Sequence, residues 1–375
     1  MHLKSILYLF FFSFLPLSAS AEFVPLSENA SVSILTCGTG DEVYSLFGHT
    51  AIRIKDPARN IDIVYNYGAF DFEAPNFIAR FTKGDLQYFV TAESFMDFIR
   101  QYHFENRSIY EQVLDIPLEK KQLLFDRLNT VLNSDERYYT YKFIDRNCTN
   151  MAVDIINETL DGKIITKTKN TEPTYRETLY PYFNGHFYEQ LGTSIIFGTK
   201  VDRRATLLFL PIEFQESLYN AKYNGKPLAE KGRMIMAEKA QQTPSSWWNN
   251  VFTYLLLLVV IIVLNRNTLT IIYLGILGLI GLFFSIAGWY SLHEELANNY
   301  NILLFNPAVL LLIYFYYTKN HRWVVGTSLF CVLSIAIYLV VMMNKVHLLI
   351  VMPIVITNLI LFWRYAGRSM DQLRS

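Results

Sequence analysis

One short stretch, FIDRNCTNMAVDII at 143–156, contains a cysteine, a residue type that can act as a nucleophile. Cys148 lies there, where an aromatic, β-prone run gives way to apolar residues at helical spacing. Asp145 and Asn147 are both candidate N-caps, so Cys148 falls in the first turn of the helix whichever is used. The helix dipole and the backbone N–H groups of that turn favour a thiolate and could also hold an oxyanion. Cys148 is therefore a candidate nucleophile, although a packed thiol or one half of a disulfide also fits this position.

A thiol nucleophile needs a base, and three histidines lie in the part of the chain with mixed composition: His49, His103 and His186. His49 begins a β-prone run that the turn-rich segment KDPARN joins to a second such run, which predicts a β-hairpin. His103 follows an amphipathic run and is expected at a surface helix end, and His186 has no obvious polar partner. His49 is therefore the candidate base.

The hairpin predicts which polar side chains lie near His49. Centring the turn within KDPARN pairs residues whose numbers sum to about 115, so Asn66 lies opposite His49 and Arg53 faces Asp62. The opposite charges of Arg53 and Asp62 favour this register. Asn66 is then the predicted residue that orients the imidazole ring, with Asp62 as the competing candidate. Arg53 and Asp62 are also candidate substrate-binding residues.

The N-terminus and the cysteine count indicate the compartment. A basic start, a short apolar run and the small residues ASA predict a signal peptide over residues 1–21, with an uncleaved anchor as the alternative. The chain has 3 cysteines, too few for the disulfide framework of a small exported protein. One bridge between Cys37 and Cys148 stays open, packing is the favoured interpretation of Cys37, and Cys331 is expected to pack inside a membrane helix.

Composition divides the rest of the chain in two. Residues 22–246 are mixed and rich in aromatics, enough for one exported globular domain. Residues 247–375 are overwhelmingly apolar and predict a transmembrane domain. Its five predicted helices lie at about 247–264, 268–290, 301–317, 323–343 and 346–363.

The exported domain is expected to be α+β. A small antiparallel sheet would contain the hairpin and a strand near 108–116. Helices near 92–103, 118–133 and 147–160 would pack on it. A further helix near 212–222, followed by extended strands, would return the chain toward the membrane.

Charged residues predict the orientation of the five helices. If the first domain is outside, then the turns NRN and TKNHR and the tail are inside, whereas Lys345 is the only lysine or arginine of the outer loops. This positive-inside pattern predicts a multi-pass inner-membrane protein with a periplasmic N-terminal domain and a cytoplasmic C-terminus. The inner basic residues are Arg266, Lys319, Arg322, Arg364, Arg368 and Arg374.

The longest predicted outer loop, SLHEELANNYNILLFNP at 291–307, is dense in polar residues. His293, Glu294 and Asn298 are candidate ligands there for a lipid headgroup or an acceptor amine at the bilayer surface. A plain solvated loop explains the same composition, so both interpretations stay open.

The net charge and the spacing of histidines and cysteines argue against two classes of protein, nucleic-acid-binding proteins and metalloproteins. The formal net charge is +0 and no basic stripe interleaved with aromatics is present, which argues against a nucleic-acid partner. No cluster of histidines and cysteines has metal-ligand spacing, so neither a metal nor another cofactor is expected.

The order of the candidate residues resembles a known thiol fold. The chain has a histidine at the start of an early strand, a polar residue on the next strand, and a cysteine in the dipeptide NC at the start of a helix. This order is similar to that of the permuted NlpC-like fold of the lecithin:retinol acyltransferase group. Four longer stretches are also distinctive: LTCGTGDEVYSLFGHTAIRI, DIVYNYGAFDFEAPNFIARFTKGDLQYFV, YEQVLDI and RNCTN. They resemble the Bacteroidota membrane proteins named Lnb, which are implicated in lipoprotein N-acylation. The resemblance covers essentially the whole chain and implies a permuted papain-like exported domain followed by five membrane helices.

The resemblance implies a membrane-embedded acyltransferase with Cys148 as nucleophile and His49 as base. It implies a phospholipid as acyl donor and the α-amine of a diacylglyceryl lipoprotein as acceptor. Relatives usually have a second histidine where Asn66 lies, so the assignment of Asn66 depends on the hairpin register. Two alternatives stay open: a membrane-tethered NlpC-like peptidoglycan peptidase, and a non-catalytic protein that binds lipid or a partner.

Overall fold

The computed structural model describes residues 24–71, 73–238 and 246–375. The predicted signal peptide, 1–21, lies outside the described residues. The chain is a mixed α/β protein in which an N-terminal domain built on a sheet precedes a C-terminal helical region.

An antiparallel sheet organises the N-terminal domain. The strands of the described residues are β1 Ser31–Cys37, β2 His49–Asp56, β3 Ile61–Ala69, β4 Gln87–Ser94, β5 Ile109–Val113, β6 Tyr138–Thr140, β7 Lys222–Tyr223, β8 Lys226–Pro227 and β9 Arg233–Met236. Seven of these strands form one sheet in the order β6-β4-β3-β2-β1-β5-β9, and β7 and β8 form a separate hairpin. The strand predicted near 108–116 is β5.

The hairpin of β2 and β3 forms, but its register differs from the predicted one by two residues. Ala51, not His49, lies directly opposite Asn66. The turn explains the difference, because Asp56 caps a 3-10 turn and Asn60 then adopts a left-handed conformation with φ 55, which moves the centre of the turn along the chain. A shift of two keeps every side chain on its predicted face, since side chains alternate with a period of two.

Helices cover both faces of the sheet. Those of the N-terminal domain are α1 Phe77–Lys83, α2 Phe95–Phe104, α3 Leu118–Leu132, α4 Cys148–Thr159, α5 Tyr175–Leu179, α6 Phe187–Ile196 and α7 Pro211–Leu218. Ile52 and Ile54 point to one face and pack with α3 and α4. Leu35 and Ala51 point to the other face and pack with Phe98 of α2. Each fully buried leucine, isoleucine or phenylalanine among them contributes about 1.5–3 kcal/mol of hydrophobic stabilisation.

The C-terminal region is helical and apolar. Its helices are α8 Val251–Leu264, α9 Asn267–Tyr290, α10 Ala308–Tyr317, α11 His321–Met342 and α12 Leu348–Arg374. By length and composition α9, α11 and α12 can cross a membrane, and the segment Glu294–Leu303 with α10, bent by 43°, makes a fourth candidate. Helix α8 has 14 residues, about 21 Å at 1.5 Å per residue, which is short for a hydrocarbon core of about 30 Å. The described residues therefore support a membrane protein with three or four spans, and five crossings stay a prediction.

Polar contacts mark the end of the helical region that lies away from the N-terminal domain. Arg368 of α12 donates to Asn265 in the turn between α8 and α9, at 3.0 Å. Asn267, the first residue of α9, donates to Tyr316 at the end of α10, at 2.9 Å. Helix α9, of 24 residues, places this end about 36 Å from the loop after Tyr290. Basic and asparagine side chains therefore gather at one end of the region.

Candidate active site

The start of α4 holds Cys148 in place. Asn147 is the N-cap, and its side-chain oxygen accepts from the amides of Thr149 at 2.9 Å and Asn150 at 3.2 Å. The Asn150 side chain accepts from the Asn147 amide at 2.6 Å, which completes a capping box. The Asn147 side chain also donates to the Phe209 carbonyl at 2.8 Å. Asn147 is thus the N-cap that the chain uses, and it leaves Cys148 half-buried as the first residue of the helix.

His49 lies beside the thiol of Cys148. The two side chains share a hydrogen bond, and the Thr50 amide also donates to the sulfur. Burial alone would raise the pKa of Cys148, but the charge and hydrogen bond of His49 lower it below its ordinary value of 9.0. Burial would likewise lower the pKa of His49, but the adjacent sulfur raises it above 6.5. The arrangement therefore favours a thiolate beside an imidazolium, which is the reactive form of a cysteine nucleophile.

Asn66 contacts the imidazole ring of His49. Its Oδ1 lies 3.2 Å from His49 Nε2, on a diagonal between β2 and β3. Its Nδ2 donates to Glu93 of β4 at 2.9 Å, which identifies Oδ1 as the atom that faces the ring. An amide oxygen only accepts, so Nε2 carries a proton and Nδ1 is the basic nitrogen of the neutral ring. Glu93, which the sequence did not single out, is thus an outer member of this chain of hydrogen bonds.

Asn66→Ala is expected to lower turnover about tenfold to a hundredfold with little change in KM, because the ring loses its orientation while substrate contacts remain. The measurement is steady-state acyl transfer together with the rate of Cys148 alkylation, which should fall in parallel. Glu93→Ala should show a smaller effect of the same kind, since it acts through Asn66. Normal alkylation of Cys148 in the Asn66 variant would contradict the orienting role.

The first turn of α4 offers fewer oxyanion donors than predicted. The amides of Thr149 and Asn150 are used by the N-cap side chain, and the Met151 amide donates to the Asn147 carbonyl at 3.0 Å. Within the described part of the chain, the Cys148 amide is the first-turn donor without a protein acceptor. A tetrahedral intermediate would therefore need this amide together with a donor from another element.

Tyr139 of β6 is a candidate for that second donor. Its hydroxyl is buried without a hydrogen-bond partner among the described residues, and its ring packs in the same cluster as Cys148. Burial raises the pKa of Tyr139 well above its ordinary value, so the hydroxyl keeps its proton. The side chain is thus able to donate at neutral pH.

Tyr139→Phe is expected to lower turnover about tenfold to a hundredfold without lowering the melting temperature. The hydroxyl has no partner to lose, so its removal leaves no buried group unsatisfied. Turnover and thermal unfolding of the same preparation check both parts. An unchanged turnover would exclude Tyr139 as an oxyanion donor, and a large loss of stability would indicate a packing role instead.

Cys37 is a packed thiol. It ends β1 directly opposite His49 and is 1% exposed. Burial raises its pKa to about 12, even though Tyr102 donates a hydrogen bond to it. Cys37 and Cys148 are both free, so the structure favours the packing interpretation over a bridge between them.

Arg53 and Asp62 form an ion pair inside the sheet. Two nitrogens of Arg53 donate to the Asp62 carboxylate at 2.7 Å across a diagonal, while Lys55 lies directly opposite Asp62. Arg53 also donates to the buried Glu111 at 2.9 Å and lies 3.2 Å from the centre of the Phe95 ring. These contacts use the Arg53 guanidinium for stability, and they offer no support for substrate binding by either residue.

Arg53→Ala is expected to lower the melting temperature by roughly 5–10 °C. The Glu111 carboxylate, which is 3% exposed, then has fewer charged partners. The free energy of unfolding should fall by about 3 kcal/mol. The full chain in detergent serves for the thermal scan. Arg100→Ala is the matched control, because Arg100 pairs with Asp97 at an exposed site and little change is expected. Equal shifts in the two variants would contradict the buried-pair account.

The loop after α9 contacts the N-terminal domain. The His293 ring nitrogen Nε2 lies 2.9 Å from the Phe81 carbonyl of α1. Glu294 accepts from Lys142 at 2.6 Å. Asn298 is exposed and has a left-handed backbone with φ 51. Of the three predicted loop ligands, His293 and Glu294 therefore bind the protein itself, and Asn298 stays a prediction.

Glu295, which the sequence did not single out, joins this loop to the segment before Cys148. Its carboxylate is 1% exposed and accepts from the Ile144 amide at 3.3 Å. Its carbonyl accepts from the Gly198 amide at 2.7 Å, and a Cβ at Gly198 would collide with the next turn of the loop. Lys200 lies 3.8 Å from Glu295 and binds Asp145. The candidate site therefore lies where the N-terminal domain meets the apolar helices.

The comparisons with known proteins address the N-terminal domain. Residues 24–181 match the family model described as the Lnb N-terminal periplasmic domain. Cys148, His49 and Asn66 all lie inside the matched range. No curated protein and no solved structure matches the chain. The matched domain is periplasmic, and the apolar helices that follow it make the chain a membrane protein. Residues 24–181 therefore belong to the Lnb family as its N-terminal periplasmic domain.

Proposed function

We propose that this protein transfers an acyl chain from a phospholipid to the α-amine of a diacylglyceryl lipoprotein. The observation that carries the proposal is the Cys148 thiol at a helix start, hydrogen-bonded to His49. Membership of the Lnb family supports an acyltransferase, and the exported domain would have the permuted papain-like order of strand histidine before helix cysteine.

The first step forms a thioester. The Cys148 thiolate attacks the ester carbonyl of the phospholipid, and the oxyanion is held by the Cys148 amide and a second donor. Collapse of the tetrahedral intermediate breaks the ester C–O bond. The His49 imidazolium gives its proton to the leaving alkoxide, so a lysophospholipid departs and neutral His49 remains.

The second step makes an amide. The α-amine of the lipoprotein attacks the thioester carbonyl while His49 takes a proton from the nitrogen. The C–S bond breaks, the acyl chain stays on nitrogen, and the thiolate with its imidazolium is restored. Both lipids enter from the same bilayer, so a site beside the apolar helices raises their local concentration and orients them.

The proposed topology follows from the charges and the contacts of the helices. The periplasmic domain docks on the loop after α9 through Glu295 and His293, while Arg368 lies at the opposite end. We infer five crossings of the inner membrane, with α8 and α10 as short segments, and a cytoplasmic C-terminus. Short crossings thin the bilayer locally at modest cost.

The test in cells is mass spectrometry of lipoprotein N-termini, with the wild-type chain, with no chain and with Cys148→Ala. The wild type should give N-acylated termini, and the other two should give free α-amines on diacylglyceryl-cysteine. Acylated termini with the Cys148→Ala variant would contradict the proposal. Unchanged lipoproteins together with altered muropeptides would favour the peptidase alternative.

A further inference from the structure

A groove opens at the edge of the sheet where β4, β6 and α1 meet. Its volume is about 460 Å³. The rings of Phe89 and Tyr138 form part of its walls, and Arg80 and Arg137 line it together with a single acidic residue, Asp71. The groove thus combines apolar walls with two guanidinium groups.

Arg137 brings a positive charge to the wall of the groove. Its Nε donates to the Val90 carbonyl at 3.0 Å, and its guanidinium lies 5.4 and 5.7 Å from two rings of the groove wall. The adjacent Glu136 pairs with Arg127 at 2.7 Å instead. Within the described residues Arg137 has no ion-pair partner, and its remaining N–H groups are available to an anion.

Arg80 adds a second cation at the other side of the groove. It donates to the Asp85 carbonyl at 3.0 Å and lies 3.7 Å from the Asp85 carboxylate, which Lys83 approaches more closely at 2.6 Å. Two arginines and Lys83 against Asp71 and Asp85 leave an excess of positive charge. The groove therefore complements an anion.

A row of aromatic rings leads from the groove to the core cluster that Cys148 also contacts. Phe70 lines the groove and lies 5.1 Å from the ring of Tyr88. Tyr88 stacks on Tyr141 at 4.5 Å. Both tyrosines pack against the core cluster that Cys148 also contacts. The row therefore connects one wall of the groove to the core cluster beside Cys148.

The same face of the domain meets the membrane helices. Phe77 and Phe81 of α1 stack at 6.1 Å, and Phe81 lies 6.1 Å from the ring of His293. The Leu292 amide donates to the Lys83 carbonyl at 2.7 Å. This loop directly follows α9, a helix that can cross a membrane, so the groove lies at the side of the domain that faces the bilayer.

We propose that the groove binds the phosphate of the donor phospholipid. Arg137 and Arg80 would hold the phosphodiester anion, since guanidinium groups bind phosphate oxygens through paired, charge-assisted hydrogen bonds. The glycerol ester then extends past Phe70 and Tyr88 toward Cys148. This site assigns the place where the phosphodiester of the donor binds, which separates a glycerophospholipid from a neutral glyceride. The inference rests on the proposed acyl transfer for the role of the bound lipid.

Binding is tested separately from chemistry. The full-length chain carrying Cys148→Ala is placed in nanodiscs with a photoactivatable phosphatidylglycerol, and crosslinked peptides are mapped by mass spectrometry. Crosslinks are expected on peptides that contain Phe70, Phe81 and Tyr138. Arg137→Gln should reduce the crosslinks about tenfold, the loss expected for one charge-assisted hydrogen bond, and Arg137→Lys should restore part of them.

Two comparisons make the result decisive. Arg100→Ala, which removes an exposed arginine of α2 outside the groove, should leave the crosslinks unchanged. Crosslinking of a photoactivatable diacylglycerol without phosphate should be the same in the wild-type background and in Arg137→Gln. Equal crosslinking in the wild-type background and in Arg137→Gln, with both variants folded by thermal scan, would overturn the site. If crosslinks depend on Arg137 but the active chain transfers no acyl group, the binding site stands and the proposed reaction falls.

Discussion

Cys148→Ser is expected to reduce acyl transfer at least about a thousandfold while the protein stays folded. A serine hydroxyl fits the first turn of α4 as well as a thiol does, because Asn147 and Asn150 form the cap. The hydroxyl is far less ionised beside His49, so the nucleophile is lost while the site keeps its shape. The measurement is transfer of labelled acyl chain in nanodiscs, with photoactivatable phospholipid as the check on binding.

The other two cysteines supply matched controls. Cys37 is buried in the sheet and Cys331 packs in the helical region. Cys331→Ala should keep most of the activity, because it removes one buried sulfur far from Cys148. Cys37→Ala should lower stability more than turnover, since its thiol has a raised pKa and stays protonated. Transfer by Cys148→Ser at more than about a tenth of the wild-type rate would exclude Cys148 as the nucleophile.

His49→Ala is expected to slow alkylation of Cys148 at pH 7 at least about tenfold. In the wild type His49 holds the pKa of Cys148 below 9.0, against the effect of burial. Without His49 the burial remains and the pKa rises, and each unit of increase removes about nine tenths of the thiolate at neutral pH. Iodoacetamide labelling from pH 5 to pH 10, followed by mass spectrometry of the Cys148 peptide, gives the two profiles.

The directions of the two pKa shifts also set the shape of the pH profile of transfer. Turnover should rise as pH rises through the lowered pKa of Cys148, because the thiolate forms there. It should fall as pH rises through the raised pKa of His49, because the leaving alkoxide then loses its proton donor. The alkaline limb therefore lies above pH 6.5. Alkylation needs only the thiolate and should show no alkaline fall, and a matching fall in both profiles would contradict this assignment.

Local patterns predicted which residues lie together in the candidate site, because side chains alternate along a strand. An aromatic run before a helix start predicted the position of Cys148, and the hairpin predicted that Asn66 lies near His49. The register itself was wrong by two residues, since the sequence does not show that Asn60 turns left-handed. The predicted contacts still formed on the diagonal, because long polar side chains reach a neighbour one pair away.

Long-range contacts were beyond the sequence for a physical reason. Glu93 bonds Asn66 only because β4 pairs with β3 across a connection of 17 residues that holds α1. Glu295 reaches Ile144 across 151 positions, and no local pattern distinguishes it from its exposed neighbour Glu294. The oxyanion donors also differ from the prediction. The Asn147 side chain, whose type predicted the helix start, accepts hydrogen bonds from the Thr149 and Asn150 amides, so these two amides are not free for an oxyanion.

The central claim is that Cys148 carries the acyl chain between two lipids, and one labelling experiment tests it directly. Purified full-length protein is given acyl-labelled phospholipid alone, and then a diacylglyceryl-cysteine peptide with a free α-amine. Label should accumulate on Cys148 as a hydroxylamine-sensitive thioester and leave rapidly only after the peptide is added, to appear as an amide on that peptide. Rapid release of the label as free fatty acid, or the absence of label on Cys148, would contradict the account.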